Sequence, residues 1–94
     1  MRTKGRTDDN QTAIVKALRN AGCSVAITSD VGGGFPDLVI GAHGKNYLLE
    51  VKDGNKPPSE RKLTAAQNSF HGEWEGQVDI VYSVRGALEW LERR

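Results

Sequence analysis

The sequence predicts an α/β domain with the element order αβββαβα, in which helices flank a mixed four-stranded sheet. Three stretches repeat apolar residues at intervals of three and four, which is the period of an amphipathic helix. Four short runs between them are rich in β-branched and apolar residues, as is typical of strands. The chain has 94 residues, enough for one modest hydrophobic core, and we therefore expect a single domain over residues 1–94.

The first helix and the first strand are predicted in the N-terminal third of the chain. Asp8 has capping-box spacing to Gln11, which predicts a helix that starts there and stops at Gly22. Alternation in residues 23–28 predicts the first strand, and the glycines at 32–34 predict a loop after it.

The next two strands are predicted to form a hairpin. Runs 37–40 and 47–52 are apolar and β-rich, and residues 41–46 between them have a length that suits a turn near His43 and Gly44. With the first strand, they predict an antiparallel meander of three strands.

The C-terminal half is predicted to hold two helices and one strand. Thr64 and Gln67 have capping-box spacing and predict a helix that Gly76 closes, with an inward side formed by Ala66, Phe70 and Trp74. Residues 78–82 predict a fourth strand, parallel to the third because a helix crosses over between them. Ser83 is predicted to cap a last helix whose inward stripe comprises Ala87, Leu88 and Leu91.

The charge of the chain permits local contacts with nucleic acid. The formal net charge is only +1, so such contacts depend on clusters of basic residues. One cluster lies in a predicted basic tail, residues 1–7, and the other in a predicted mobile loop, residues 53–63. The residues concerned are Arg2, Lys4, Arg6, Lys56, Arg61 and Lys62. Charge alone leaves two interpretations open, a solvated surface and a surface that contacts DNA phosphates.

The composition argues against membrane and secreted classes. No apolar run approaches the roughly 20 residues of a membrane span, and no apolar segment follows the basic N-terminus. The single cysteine, Cys23, cannot form an internal disulfide and is expected to be a small buried hydrophobe. We therefore expect no membrane association and an intracellular location, in the cytoplasm or nucleoid of a bacterial or phage-infected host or in a nucleus.

Three polar residues stand where apolar strand residues would be expected: Asp37, Glu50 and Lys52. Side chains alternate along a strand, so Glu50 and Lys52 project from the same face. A hairpin turning at 43–44 places Asp37 about six residues before the turn and Glu50 about six after it, as near cross-strand neighbours. Two such carboxylates predict a Mg²⁺ or Mn²⁺ site, completed by a backbone carbonyl, here that of Val51, by water and by substrate phosphate. Lys52 would then border the metal-bound water and the scissile phosphate.

A structural interpretation competes for each of these residues taken alone. Asp37 would cap a turn, and Glu50 and Lys52 would form a surface ion pair at a strand end. Their joint spacing favours the metal site. His43 and His71 have no partner at metal-ligand or triad spacing, and we interpret them as surface or turn residues.

A family resemblance rests on the same residues. Residues 34–41, Gly-Phe-Pro-Asp-Leu-Val-Ile-Gly, and residues 48–52, Leu-Leu-Glu-Val-Lys, resemble the motifs of the PD-(D/E)XK nucleases. The closer resemblance is to the VRR-NUC branch, the virus-type replication and repair nucleases, since Gln67 opens the next helix. The resemblance extends from about Asp9 to Leu91. It implies a restriction-endonuclease-like core, Mg²⁺-dependent hydrolysis of phosphodiester bonds in DNA with Mn²⁺ as a substitute, and assistance by Gln67 at the site.

The chain also departs from the family pattern. Members commonly carry a glutamate in the first helix that faces the metal, and residues 8–11 contain none. Asp9 or Asn10 is an alternative ligand there, or else a second metal is bound weakly. Gln67 has two roles open to it, as the capping-box residue of its helix and as a residue of the site.

The resemblance implies homodimers that act on branched DNA such as Holliday junctions. We therefore expect a structure-selective endonuclease, a hydrolase of ester bonds, whose two-fold symmetry places two sites on opposing strands. One rival is a nucleic-acid-binding module that lacks turnover, and another is the nuclease subunit of a restriction or helicase complex. Two acids repel a phosphate unless a metal lies between them, which favours the enzyme over the binding module.

Overall fold

The computed structural model describes residues 10–94 and shows an α/β architecture in which helices flank a four-stranded mixed sheet. The predicted element order is confirmed, with one additional 3₁₀ turn before the second helix. The elements are α1 Gln11–Asn20, β1 Ser24–Ile27, β2 Leu38–Ala42, β3 Lys45–Val51, the 3₁₀ turn Pro58–Glu60, α2 Ala65–Glu73, β4 Val78–Val81 and α3 Val84–Glu92.

The sheet has the strand order β1-β2-β3-β4. The first three strands form the predicted antiparallel meander, and β4 lies parallel to β3. This direction follows from the connection, because α2 and its loops carry the chain back across the sheet before β4 begins.

The β2–β3 hairpin is tighter than the sequence predicts. Ala42 pairs with Lys45, so only His43 and Gly44 form the turn. Both have positive φ angles, 56° and 78°, which is the requirement of a type I′ turn that matches the twist of the flanking strands. This turn sets the register in which Leu38 pairs with Leu49.

The hydrophobic core lies between the sheet and the helices α1 and α3. The buried residues there come from both helices and from one face of β2, β3 and β4: Ile14, Val15, Leu18, Leu38, Ile40, Tyr47, Leu49, Val51, Val81, Ala87 and Trp90. Trp90 packs edge-on against Tyr47 and donates its indole N–H to Asp79 Oδ2 at 2.9 Å. Of the predicted inward stripe of α3, Ala87 is buried and Leu91 packs half-buried against the core, whereas Leu88 is half-buried. Trp90, which lies outside the predicted stripe, is buried.

Helix α2 covers the opposite face of the sheet only thinly. None of residues 65–73 is buried. Phe70 is half-buried and contacts the ring of Phe35, with centroids 5.4 Å apart. The predicted inward positions of Ala66 and Trp74 are wrong, because Ala66 is exposed and Trp74 is 44% exposed at the C-cap. The helix ends at Glu73, before the predicted stop at Gly76.

The helix caps agree in part with the sequence. Thr64 and Gln67 form the predicted capping box, and Ser83 Oγ accepts a hydrogen bond from the N–H of Gly86. Helix α1 begins two residues later than predicted, with Asn10 as its N-cap. The predicted cap Asp8 lies outside the described residues, and Gln11 instead donates to Ser29 Oγ at 3.1 Å.

Segment 53–63 has local structure of its own. Arg61 Nε donates to the carbonyl of Lys56 at 2.8 Å, and Asp53 Oδ1 accepts from the N–H of Asn55 at 2.9 Å. The mobility expected for this loop stays a prediction.

Cys23 is buried as expected, and burial raises the pKa of its thiol. Of the helices in residues 10–94, none combines the length and the apolar character that a membrane crossing requires.

The loop before β2 approaches the start of α2 closely at Gly34. Its φ is +82°, and a Cβ there would overlap the carbonyl of Ala66 and lie 2.9 Å from the backbone nitrogen of Gln67. Gly33 also has a positive φ, +66°, but a Cβ on it would meet no atom within 4 Å. The absence of a Cβ at Gly34 thus lets the loop approach the start of α2 closely, whereas Gly33 serves only the conformation of the loop.

We expect Gly34→Ala to lower the free energy of unfolding more than Gly33→Ala does. Both place alanine at a positive φ, which costs about 1 kcal/mol, and Gly34→Ala adds a steric overlap of roughly 1–3 kcal/mol. Urea unfolding of the two variants, compared with the unmodified protein, measures the difference. Equal losses would show that the loop does not support α2 in solution.

Candidate active site

Strand β3 and the residue that follows it present two charged side chains to the face that α2 covers. Tyr47, Leu49 and Val51 fill the core face, so the alternation of the strand directs Glu50 and Lys52 to the other. Glu50 is 1% exposed and Lys52 is 9% exposed. The competing interpretation of a surface ion pair is therefore wrong, because both residues are buried.

Asp37 stands opposite Glu50 at the point where β2 begins. The register pairs Leu38 with Leu49, and its continuation by one residue pairs Asp37 with Glu50. The carbonyl of Asp37 accepts from the N–H of Thr28 on the β1 side, so its backbone bonds point away from β3. Such a non-hydrogen-bonded pair brings its Cα atoms to about 4.5 Å, with the side chains on one face.

The carboxylate of Asp37 also takes the place of a ladder acceptor. Asp37 Oδ2 accepts from the N–H of Val51 at 2.9 Å, while the carbonyl of Pro36 accepts from Thr28 Oγ1 at 2.8 Å. Because the N–H and the C=O of one strand residue leave on the same side, the Val51 carbonyl is directed toward the Asp37 edge of β3. Asp37 therefore has the structural role of ending the ladder, in addition to its position beside Glu50.

Gln67 joins Glu50 and Lys52 through its amide. Its Oε1 accepts from Lys52 Nζ at 2.9 Å, and its Nε2 donates to Glu50 Oε2 at 3.1 Å. The same Oε1 accepts from the N–H of Thr64 at 2.9 Å and completes the capping box. One side chain therefore completes the capping box and also contacts Glu50 and Lys52, while its role at an active site stays a prediction.

His71 lies one helical turn after Gln67, also against Glu50. Its Nε2 is 3.9 Å from Glu50 Oε1, and its side chain is 13% exposed. Burial lowers the pKa of His71. The negative charge of Asp79 raises this pKa by a smaller amount, and the positive charge of Lys52 lowers it. The surface position expected for His71 is wrong. The sequence signal for its position against Glu50 is the four-residue spacing between Gln67 and His71, which places the two side chains on one face of the helix.

The remaining candidate residues lie elsewhere or outside the described range. Asn10 Nδ2 donates to the carbonyls of Lys52 and Tyr82, at 3.2 and 3.0 Å, so it ties α1 to the ends of β3 and β4. Its role as a metal ligand stays a prediction, and the alternative Asp9 lies outside the described residues. Lys56 and Arg61 are half-buried and Lys62 is exposed in the segment after β3. The remaining basic residues, Arg2, Lys4 and Arg6, precede residue 10.

The donors available to a cation are few but chemically suitable. Within residues 10–94, no group of three His, Cys, Asp or Glu side chains is placed to hold a metal ion. Asp37, Glu50 and the Val51 carbonyl supply oxygen donors, which suit Mg²⁺ or Mn²⁺ with water completing the shell. Two cavities, of about 470 and 320 Å³, lie at the ends of β3 and β4 and beside α1, and neither is lined by these residues.

Comparison of the chain with models of known protein families, with curated proteins and with solved structures found no match. The function therefore has to be argued from the geometry of Asp37, Glu50, Lys52 and Gln67.

We expect Gln67→Ala to destabilise the protein more than Thr64→Ala. Each variant breaks the capping box, which costs about 1 kcal/mol. Gln67→Ala also removes the amide from the buried Glu50 and Lys52, and we expect a total loss of roughly 2–3 kcal/mol. Denaturant unfolding of both variants measures the loss. If the two are equally stable, the amide contributes nothing beyond the cap.

Proposed function

We propose that the protein is a Mg²⁺-dependent DNA endonuclease that resembles the VRR-NUC branch of the PD-(D/E)XK nucleases, with a restriction-endonuclease-like core. The observation that carries the proposal is the position of Asp37 opposite Glu50, with Lys52 joined to Glu50 through Gln67. The resemblance of the two motifs supports it as well.

Stability gives a poor account of the buried charges. Removing a carboxylate and an ammonium group from water costs several kcal/mol for each ion, and well-packed apolar residues in their place are often as stable or more stable. Glu50 and Lys52 are both buried on the face that α2 covers. A role in binding or catalysis explains their presence better than a role in folding does.

In the proposed reaction each residue has one task. Asp37 and Glu50 hold the cation, with the Val51 carbonyl as a further oxygen donor. When bound, Mg²⁺ polarises the scissile phosphate and lowers the pKa of a water molecule. Lys52 orients the attacking water and offsets the negative charge that develops on the phosphate. Gln67 holds Lys52 Nζ in position, which is a positioning role rather than a catalytic one.

The proposed substrate is branched DNA, such as a Holliday junction, and the proposed enzyme is a homodimer. A two-fold dimer would place one site on each of two opposing strands of such a junction. The basic residues proposed to contact phosphates are Lys56, Arg61 and Lys62 in the segment after β3, and Arg2, Lys4 and Arg6, which precede the described residues.

A substrate panel tests the activity. We expect the purified chain to cut junction DNA in the presence of Mg²⁺ or Mn²⁺, and to cut nothing in EDTA, because the acids need a cation between them and the phosphate. Gel assays on junction, flap and linear DNA, with Ca²⁺ as a further cation, measure this. No cleavage of any DNA with Mg²⁺ or Mn²⁺ would contradict the proposal, and activity that appears only with a partner protein would indicate a nuclease subunit.

Two matched pairs of variants separate catalysis from structure. Asp37→Asn keeps an acceptor for the Val51 N–H but removes the charge, and Lys52→Met keeps most of the side-chain volume. We expect each to reduce the cleavage rate by about 100-fold or more while DNA binding and folding persist. Controls are Asp37→Ala, which also loses the acceptor, and Lys45→Met at an exposed lysine that begins β3, which should retain full activity.

Wild-type cleavage by Asp37→Asn would show that Asp37 acts only as a ladder acceptor. Equal loss of DNA binding and cleavage in Lys52→Met would instead support a binding module that lacks turnover.

A further inference from the structure

His71 carries a buried nitrogen that the fold leaves without a partner. Its Nε2 is excluded from solvent and has no hydrogen-bond partner among residues 10–94. Leaving a buried polar atom unpaired costs about 1–3 kcal/mol, so such atoms are rare and call for an explanation. A ligand that the nitrogen binds is one such explanation.

The surroundings of His71 direct this nitrogen to the candidate site. Nε2 lies 3.9 Å from Glu50 Oε1, which is beyond hydrogen-bond distance. The ring is held edge-on against Phe70, with centroids 6.4 Å apart. Gln67, four residues earlier on the same helix face, binds the other oxygen of Glu50. Helix α2 therefore presents an amide to one side of this carboxylate and an imidazole to the other.

The separation of the two atoms suits a shared divalent cation. Bonds of about 2.1 Å from a cation to an oxygen and to an imidazole nitrogen together span at most about 4.2 Å, slightly more than the observed distance. A small rotation of either side chain would shorten the distance between the two atoms and so narrow the angle between the bonds from the cation to the nitrogen and to the oxygen. The positive charge of Lys52 repels a cation, but the hydrogen bond to Gln67 Oε1 fixes the position of its ammonium group.

We propose that His71 Nε2 and Glu50 Oε1 bind the same divalent cation. The inference rests on the proposed function to the extent that Glu50 is taken there as a cation ligand, and it adds a nitrogen donor to the site. Imidazole binds first-row transition metals, whereas Mg²⁺ favours oxygen ligands. The site therefore binds Mn²⁺ more tightly than Mg²⁺, and His71 is responsible for the difference.

Nuclear magnetic resonance of the whole chain tests the bond directly. The protein has two histidines, and His43, on the exposed β2–β3 turn, is an internal control. With ¹⁵N-labelled histidine and ¹¹³Cd²⁺ as the probe, we expect one-bond coupling between the cation and His71 Nε2, and none at His43. Glu50→Gln should weaken this signal.

Calorimetry with Mn²⁺ and Mg²⁺ provides the second measurement. We expect His71→Gln to lower the affinity for Mn²⁺ by about tenfold or more and that for Mg²⁺ far less. His43→Asn, which tolerates the positive φ of the turn, should change neither. The coupling experiment needs no variant, so a His71 variant that fails to fold leaves the test intact.

The outcomes distinguish this inference from the proposed function. A cation bound without coupling at His71, and with unchanged Mn²⁺ affinity in His71→Gln, overturns the inference and leaves the nuclease proposal standing. Coupling at His71 without cleavage of any DNA supports the inference and contradicts the nuclease. Absence of any Cd²⁺, Mn²⁺ or Mg²⁺ binding overturns both.

Discussion

The amide of Gln67 joins helix α2 to strand β3, and the arrangement of the site depends on this interaction. One oxygen accepts from both the N–H of Thr64 and the ammonium group of Lys52, and the amide nitrogen donates to Glu50. The oxygen that accepts the capping bond at the start of the helix is thus also the oxygen that accepts from the lysine. Because no residue of 65–73 is fully buried and Phe70 is its half-buried apolar residue, apolar packing contributes little to the position of α2. Its position depends on the polar contacts of Gln67, and the missing Cβ of Gly34 leaves room for the loop before β2 beside it.

The second requirement is the register of the β2–β3 hairpin. A slip of one residue would move every side chain of a strand to the opposite face. The two-residue turn at His43 and Gly44 prevents such a slip, because its positive φ angles admit only one connection between the strands. Asp37 then meets Glu50 at the far end of the hairpin. The geometry of the acidic pair therefore originates in a turn that lies six residues away along each strand.

Much of this arrangement follows from local rules that the sequence displays. Alternation places Glu50 and Lys52 on one face, residue counting around a hairpin pairs Asp37 with Glu50, and the capping-box spacing identifies the start of α2. Other features depend on tertiary packing, which has no local signature. The burial of Glu50 results from the way α2 crosses the sheet, and the hydrogen bond from Val51 to Asp37 results from the departure of Pro36 from the ladder.

The tryptophans and His71 illustrate the same limit. Trp74 and Trp90 have similar sequence surroundings, yet one is exposed at a helix end and the other packs in the core against Tyr47. The difference follows from the two faces of the sheet, since only one is covered by two helices. His71 has no partner within its own segment, and its neighbour Glu50 lies 21 residues earlier on β3.

The thin packing of α2 has a thermodynamic consequence. Segments with few buried apolar contacts open at free energies below that of global unfolding, as independent cooperative units. The helices α1 and α3, with the sheet between them, contain the core and do not need α2 to bury it. We therefore expect α2 to detach before the scaffold of α1, α3 and the sheet unfolds, and this partial opening would break the Glu50–Gln67–Lys52 network while the rest of the fold remains.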